Sequence, residues 1–283
     1  MPISSQAEGL GLSGAALPLL AAVIQERLGL VYDASRFDLL ADRVAPLVVE
    51  RGFDSFLDYY YLLKYDADAA GEWRRVMDAL SVNETYFWRE LDQLRAVVDH
   101  VIPRLAGQGT PIRIWSVPCA SGEEPLTVAM LLEEQGWFDR ARIEIHASDA
   151  SPAAIARARA GRYRERSFRT LPPALRAKYF TLDGDAWVVD PSLHARVRSW
   201  SVVNLVCEGE AAPNARAPII VCRNVFIYFS PDAVARVAGM FARAMPVPAW
   251  LCLGASESLL KLRTPFELEE IGGAFVYVKD GHV

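Results

Sequence analysis

Residues 112–125, reading Ile-Arg-Ile-Trp-Ser-Val-Pro-Cys-Ala-Ser-Gly-Glu-Glu-Pro, constrain this chain more than any other stretch. A short run of β-branched and aromatic residues predicts a buried strand, and small residues then make a tight turn. Pro125, followed by apolar Leu126, Val128, Ala129, Leu131 and Leu132, predicts a helix after the turn. Such a strand-turn-helix belongs to nucleotide-type α/β folds. A pyrophosphate loop normally carries three spaced glycines and leaves the helix N-terminus free for an anion. This turn has one glycine, Gly122, and sets Glu123 and Glu124 where a phosphate would sit. Two carboxylates there repel a dinucleotide and suit a ligand with hydroxyls and positive charge, as S-adenosylmethionine has in its ribose, ammonium and sulfonium. The same pair could instead serve only the helix dipole, and this stretch alone leaves both readings open.

With 283 residues there is room for a full α/β domain and a smaller companion. The net charge of -5 argues against a general nucleic-acid binder, which needs a clustered Lys/Arg face. Cys119, Cys207, Cys222 and Cys252 are too widely spaced for a zinc ribbon or a redox pair, so reduced and mostly buried thiols are expected. The histidines, at 100, 146, 194 and 282, make no metal-ligand spacing, so no metal is expected. The longest apolar run near the N-terminus, Ala15 to Ile24, is about half of a bilayer crossing and contains Pro18, which predicts a cytoplasmic protein with no membrane insertion.

Residues 1–15 read as a flexible tail. Residues 16–90 read as a small helical domain and linker, with helices over Ala16–Leu28, Asp33–Val49, Phe53–Leu63 and Glu72–Leu80. Pro46 should kink or interrupt the second helix, and the aromatic stripe Phe53, Phe56, Tyr59, Tyr60 and Tyr61 reads as core. Residues 91–283 read as the α/β domain: a helix over Leu91–Leu105, the central strand, a strand over Ala141–Asp149 and a helix over Pro152–Ala160. Asp149, at the end of the second strand, is placed either as a ribose-hydroxyl ligand or as the N-cap of the next helix. An insertion at about 163–203 should hold one helix and a small antiparallel sheet, with a hairpin at Asp183-Gly184 and Val197–Val203 as its third strand. A strand with its following loop over Pro218–Phe229, a strand over Trp250–Gly254 and a closing hairpin, Phe266–Ile271 with Ala274–Lys279, complete a doubly wound sheet with a reversed edge. That is the outline of S-adenosylmethionine-dependent methyltransferases.

Four motifs together resemble the chemotaxis receptor methyltransferases of bacteria, the CheR family of protein-glutamate O-methyltransferases. They are Asn83-Glu84-Thr85-Tyr86-Phe87-Trp88-Arg89, Ala120-Ser121-Gly122-Glu123-Glu124-Pro125, Ala147-Ser148-Asp149 and Cys222-Arg223-Asn224-Val225-Phe226-Ile227-Tyr228-Phe229. The resemblance spans roughly residues 16–280. It implies that S-adenosylmethionine is bound by Asn83, Thr85, Arg89, Glu124, Asp149, Asn204, Leu205, Arg223 and Asn224, with Asp149 on the ribose. It also implies that Arg89 and Tyr228 stand beside the reacting methyl group, and that the partner is a methyl-accepting receptor with a helical coiled-coil cytoplasmic domain, with other chemosensory proteins as further partners. The chain departs from the family in its second helix, which offers only Arg36, Arg43 and Arg51 among Asp38, Asp42, Glu50 and Pro46, and in reading Gly254-Ala255-Ser256-Glu257 where the family often has Gly-His-Ser-Glu.

Methylating a glutamate is an in-line displacement. A carboxylate with an ordinary pKa of about 4.3 is already ionised at neutral pH, so no general base is required. This accords with the lack of a catalytic His or Cys signature. A second reading, from a different class, is a non-catalytic S-adenosylmethionine- or S-adenosylhomocysteine-binding regulator of a chemosensory array. A nicotinamide dehydrogenase is disfavoured by the glutamates of the central turn and by the closing hairpin.

Overall fold

The computed structural model describes residues 7, 9, 10, 16–67 and 69–280, so all but three residues of the expected tail lie outside the described residues. The chain forms two compact units: residues up to Val82 together with Tyr228–Val234, and Asn83–Ile227 together with the residues from Ala235 onward.

Among the described residues the first unit contains the helices α1 (Ala16–Leu28), α2 (Phe37–Glu50), α3 (Phe56–Tyr65) and α4 (Ala70–Leu80). Leu20, Ile24, Leu40, Val44, Phe56, Tyr59 and Val76 fill its core. Gly29, at φ 77°, ends α1 and donates its N–H to the Gln25 carbonyl. α2 runs unbroken through Pro46, whose ring lies on the exposed face where it displaces no packing partner. The aromatic stripe divides: Phe56 and Tyr59 are core, whereas Tyr61 and Tyr65 are exposed and stack on each other. Glu72 is fully buried and accepts hydrogen bonds from Tyr59 Oη at 2.7 Å and Arg51 Nε at 2.7 Å. Burial alone would raise the Glu72 carboxyl, but the Tyr59 and Arg51 hydrogen bonds and the Arg75 charge outweigh it and hold the group below its ordinary value. Arg43 donates to the Ala79 carbonyl. Two of the three arginines in and beside α2 are therefore engaged inside the unit.

The second unit opens with α5 (Leu91–Ala96), which passes through one π turn into α6 (Ile102–Leu105). Its sheet contains β1 (Ile112–Ser116), β2 (Ile143–Asp149), β6 (Val197–Val202), β7 (Ile219–Cys222), β8 (Ala249–Leu253), β9 (Glu267–Ile271) and β10 (Ala274–Lys279), in the order β6-β2-β1-β7-β8-β10-β9. The first five strands of that order run parallel, and β10 and β9 close the edge antiparallel. Ile114, Trp115, Ile145, Ile219, Ile220, Val221, Leu251 and Cys252 are buried, as parallel strands covered on both faces require. Between strands lie α7 (Glu123–Glu134), α8 (Trp137–Arg140), α9 (Pro152–Ala160), α12 (Glu208–Ala211) and α13 (Pro231–Ala244).

The insertion contains β3 (Arg162–Tyr163), β4 (Phe180–Asp183) and β5 (Ala186–Val189), an antiparallel sheet of order β3-β5-β4, with α10 (Pro173–Tyr179) and α11 (Pro191–His194). Residues 197–202 were expected to supply the third strand of this small sheet. They instead pair parallel with β2 as the outermost strand of the main sheet, and Arg162–Tyr163 takes the third place. Seven residues of β2 leave a row of backbone groups that β6 satisfies from Ile145 to Asp149, a longer partner than two-residue β3 offers.

Candidate functional site

Parallel register brings the ends of five strands to one edge. Ser116 lies opposite Ala147 and Val221, Asp149 opposite Val202, and Cys222 opposite Leu253. The loops that follow, 117–122, 150–151, 203–207, 223–225 and 254–257, therefore share the carboxyl edge, where the strand order reverses between β1 and β7. Open α/β sheets bind their ligands at such a switch point.

The N-cap of α9 is Ser151 rather than Asp149. Ser151 caps α9, its Oγ accepting the Ala154 N–H at 3.0 Å. Asp149 Oδ2 accepts the Ala120 N–H at 2.9 Å and Oδ1 the Ser151 N–H at 2.9 Å. Val203 donates its N–H to the Asp149 carbonyl, which sets Asn204 and Leu205 just beyond β2 and β6. Leu205 is buried, and Asn204 Oδ1 accepts the Val206 N–H.

Side-chain hydrogen bonds hold both Glu123 and Glu124. Glu124 accepts from Ser116 Oγ at 2.7 Å and from Arg223 Nε at 2.8 Å. Glu123 accepts from Ser121 Oγ at 2.7 Å and Ser167 Oγ at 2.9 Å, tying the turn to the insertion. Burial raises the Glu123 carboxyl above its ordinary value against the pull of those hydroxyls. Gly122 caps the helix at φ 97°, and an added Cβ would lie 3.0 Å from the Trp200 ring and 3.1 Å from Tyr163 Oη, so the turn admits no side chain there. Burial pushes the Cys119 and Cys222 thiols well up and Cys252 to about 12, which keeps all three protonated at neutral pH. Cys207 alone of the four is exposed.

Arg223 is 4% exposed. Besides Glu124 it donates to the carbonyls of Glu90 at 2.7 Å and Arg89 at 3.0 Å, so it fastens the Asn83–Glu90 segment to β1 and β7. Asn224 Nδ2 donates to Glu90 Oε1 at 3.3 Å. Phe87 anchors the same segment in an aromatic cluster with Tyr163, Phe168 and Phe180 at centroid distances of 4.8, 5.2 and 4.9 Å. Arg89 donates to the Glu84 carbonyl at 2.8 Å and pairs with Glu90 at 3.5 Å, with 27% of its side chain exposed. Asn83 and Thr85 are half-buried on that segment. Tyr228 belongs to the first unit, where its carbonyl accepts the Val31 N–H.

Among the described residues, the non-glycine residues with left-handed backbone are Trp88, Glu90, Ala120 and Asn224, with φ between 47° and 68°. All fall in or directly beside the four motifs, and strain of this kind persists where surrounding contacts over-determine it. Reading the sequence missed Glu90, Ser116, Ser121 and Ser167 as supports of the site. For Glu90 the signal was present, an acid directly after Arg89; the serines gave none.

The donor chemistry fits S-adenosylmethionine: carboxylates at the start of α7 and the end of β2, a turn too tight and too acidic for pyrophosphate, and buried thiols that stay neutral. Fold and site together define an S-adenosylmethionine-dependent methyltransferase with a small all-α domain at its N-terminal side. Comparison with known families is consistent throughout: the profile described as "CheR methyltransferase, SAM binding domain" matches residues 83–274, and "CheR methyltransferase, all-alpha domain" matches 15–81. The chain belongs to the CheR methyltransferase family. It is 31% identical over 259 residues to chemotaxis protein methyltransferase 2 of Vibrio cholerae serotype O1, covering 90% of this chain and 89% of that one. It is 30% identical over 251 residues to the chemotaxis protein methyltransferase of Borreliella burgdorferi, covering 86% and 88%, and 27% identical over 267 residues to chemotaxis protein methyltransferase 1 of Pseudomonas aeruginosa, covering 92% and 96%. Among the described residues no helix is long and apolar enough to cross a membrane, and no cluster of three or more His, Cys, Asp or Glu could hold a metal.

Proposed function

We propose that this chain methylates glutamate carboxylates on a bacterial chemoreceptor or related signalling receptor, with S-adenosylmethionine as donor. The observation that carries the reading is that Glu124, Asp149 and the Arg89-bearing segment share one sheet edge, buried Arg223 joining Glu124 to that segment and the Ala120 N–H joining Asp149 to the central turn. S-adenosylmethionine supplies, when bound, an electrophilic methyl group on a positively charged sulfur. Asp149 accepts from the ribose hydroxyls, Glu124 contributes negative charge beside the cofactor's cationic part, and Asn83, Thr85, Asn204, Leu205 and Asn224 line the remainder. Arg89 orients the incoming carboxylate, and Tyr228 excludes water and holds the acceptor in line. Alignment of two bound reactants is worth on the order of 7–11 kcal/mol, enough to make positioning the chain's main contribution. Arg89 is already engaged by Glu84 and Glu90, which moderates its grip on the attacking oxygen; a tighter grip would stabilise the ground state and slow the step.

The partner is a methyl-accepting receptor with a helical cytoplasmic domain. The internal use of Arg43 and Arg51 leaves α2 poorly suited to a strongly acidic coiled coil and favours a less acidic docking stripe. The same observation supports the second reading, a binding module without turnover.

The test is incubation with methyl-labelled S-adenosylmethionine and receptor cytoplasmic fragments from the same genome. A methyl glutamyl ester releases its label as volatile methanol in alkali. Alkali-labile label that disappears when acceptor glutamates become alanines is expected; label stable to alkali, or none on any fragment, contradicts the reading.

A further inference from the structure

After β8 the chain makes a short loop, and Glu257 within it folds back across the edge of the sheet. Its Oε2 accepts the Asn224 N–H at 2.8 Å and the Gly254 N–H at 2.7 Å; its Oε1 accepts the Val225 N–H at 2.7 Å and the Phe226 N–H at 2.6 Å. Three successive backbone N–H groups pointing one way form an anion-binding concavity, and here the anion is part of the protein. The concavity depends on the left-handed backbone of Asn224, φ 60°. A left-handed backbone is unfavourable for a non-glycine residue, and the charge-assisted hydrogen bonds to Glu257 hold it there.

The site depends on what this turn carries. Asn224 reaches Glu90, the neighbour of Arg89, and the Ala255 N–H reaches the same Glu90 carboxylate at 3.4 Å. Gly254 is tightly enclosed, since a Cβ there would lie 2.8 Å from both Asn224 Nδ2 and Glu257 Oε2. None of the Glu257 bonds goes to the Ala120–Glu124 turn or to Asp149.

We infer that Glu257 is a positioning residue for methyl transfer: an internal anion that locks the Asn224–Phe226 turn, and with it the acceptor side of the site, while leaving the cofactor-binding carboxylates alone. The kinetic part of this inference rests on the methyltransferase reading above; the structural part does not.

Three measurements on the full chain test it. In Glu257→Ala, amide exchange of Asn224, Val225, Phe226 and Gly254 should accelerate at least ~100-fold, while the β1 amides Ile114 and Trp115 keep wild-type protection. Turnover should fall about 100-fold, with the Kd for S-adenosylhomocysteine changing less than about threefold. Formate, a carboxylate small enough to enter the concavity of this half-exposed residue, should restore part of both turnover and protection to Glu257→Ala; chloride should not. Glu257→Gln keeps the size but turns an NH2 group toward two of the N–H donors, so it should be impaired like the alanine variant. Wild-type exchange in the turn of Glu257→Ala would overturn the lock. Equal loss of turnover and S-adenosylhomocysteine binding, a full-activity Glu257→Gln, or no response to formate would overturn the positioning role. Should wild-type protein neither bind S-adenosylhomocysteine nor transfer methyl while the exchange result holds, the methyltransferase reading fails and the lock stands as architecture.

Discussion

Removing the guanidinium of Arg223 is the sharpest perturbation of the network that assembles the site. Arg223→Met keeps the aliphatic stem and deletes three donated hydrogen bonds, to Glu124 at 2.8 Å and to the carbonyls of Glu90 and Arg89 at 2.7 and 3.0 Å. The Arg223 side chain is 1% exposed and Glu124 12%, so the carboxylate left behind is nearly dry. Removing one partner of a buried pair destabilises by about 3–5 kcal/mol. The two carbonyls would add about 1–3 kcal/mol each if they stayed dry, but they belong to a half-buried segment that water can reach. A net loss of about 4 kcal/mol is expected, which an ordinary domain stability of about 5–15 kcal/mol survives. Arg223→Lys keeps the charge but gathers its donors on one nitrogen, which cannot reach Glu124 and both carbonyls as Nε, Nη1 and Nη2 do, and should lose about 2 kcal/mol. The decisive variant is Arg223→Met with Glu124→Gln. A neutral glutamine can still accept from Ser116, so the double variant should be about 2 kcal/mol more stable than Arg223→Met alone. Urea unfolding followed by tryptophan fluorescence measures all four proteins. Arg223→Met within about 1 kcal/mol of wild type, or Glu124→Gln adding to its loss, would refute the picture of a buried ion pair holding the segment.

Further consequences can be measured separately. Gly122→Ala combines a positive φ with a 3.0 Å contact to Trp200 and should destabilise by about 1–3 kcal/mol while weakening S-adenosylhomocysteine binding, read by thermal unfolding and titration. Glu72 and Glu123 should give opposite pH signatures. The lowered Glu72 carboxyl contributes stability that is present above 4.5 and lost as pH falls through its folded value, so Glu72→Gln flattens the acid side of the stability curve. The raised Glu123 carboxyl destabilises progressively as pH rises from 4.5 through its folded value, so Glu123→Gln flattens that limb instead. Asp149→Ala should abolish S-adenosylhomocysteine binding, whereas Tyr228→Phe should spare binding and lower turnover; equal loss of binding in both contradicts the assigned roles.

The strands and helices around the central turn were legible because each carries its own periodicity and cap signals, from Ile112 through Pro125 and from Ile143 through Ala160. What was not legible depends on distant partners. Residues 197–202 have the composition of a strand, but nothing in them says whether they pair within the insertion or with β2, since both choices satisfy the same alternation. Asp149 and Ser151 both suit a cap, and only in the folded chain does Ser151 take it while Asp149 accepts the Ala120 N–H. Arg223 reads as a pocket residue in sequence, yet its guanidinium is spent on Glu124 and two carbonyls, about a hundred residues and more away along the chain. Glu257 looked like the end of a variant motif, because its function lies in backbone N–H groups, which carry no sequence signature. The same holds for Arg43 and Arg51, which count as surface charge in a composition and turn out to be bonded inside the helical unit.

Calorimetric titration of the full chain with S-adenosylhomocysteine, alongside Asp149→Ala, tests the central claim most directly. Binding on the order of micromolar or tighter in the wild type and none in a folded Asp149→Ala is the predicted result. A folded wild-type protein that takes up no S-adenosylhomocysteine, or an Asp149→Ala variant that binds as tightly as wild type, would contradict it.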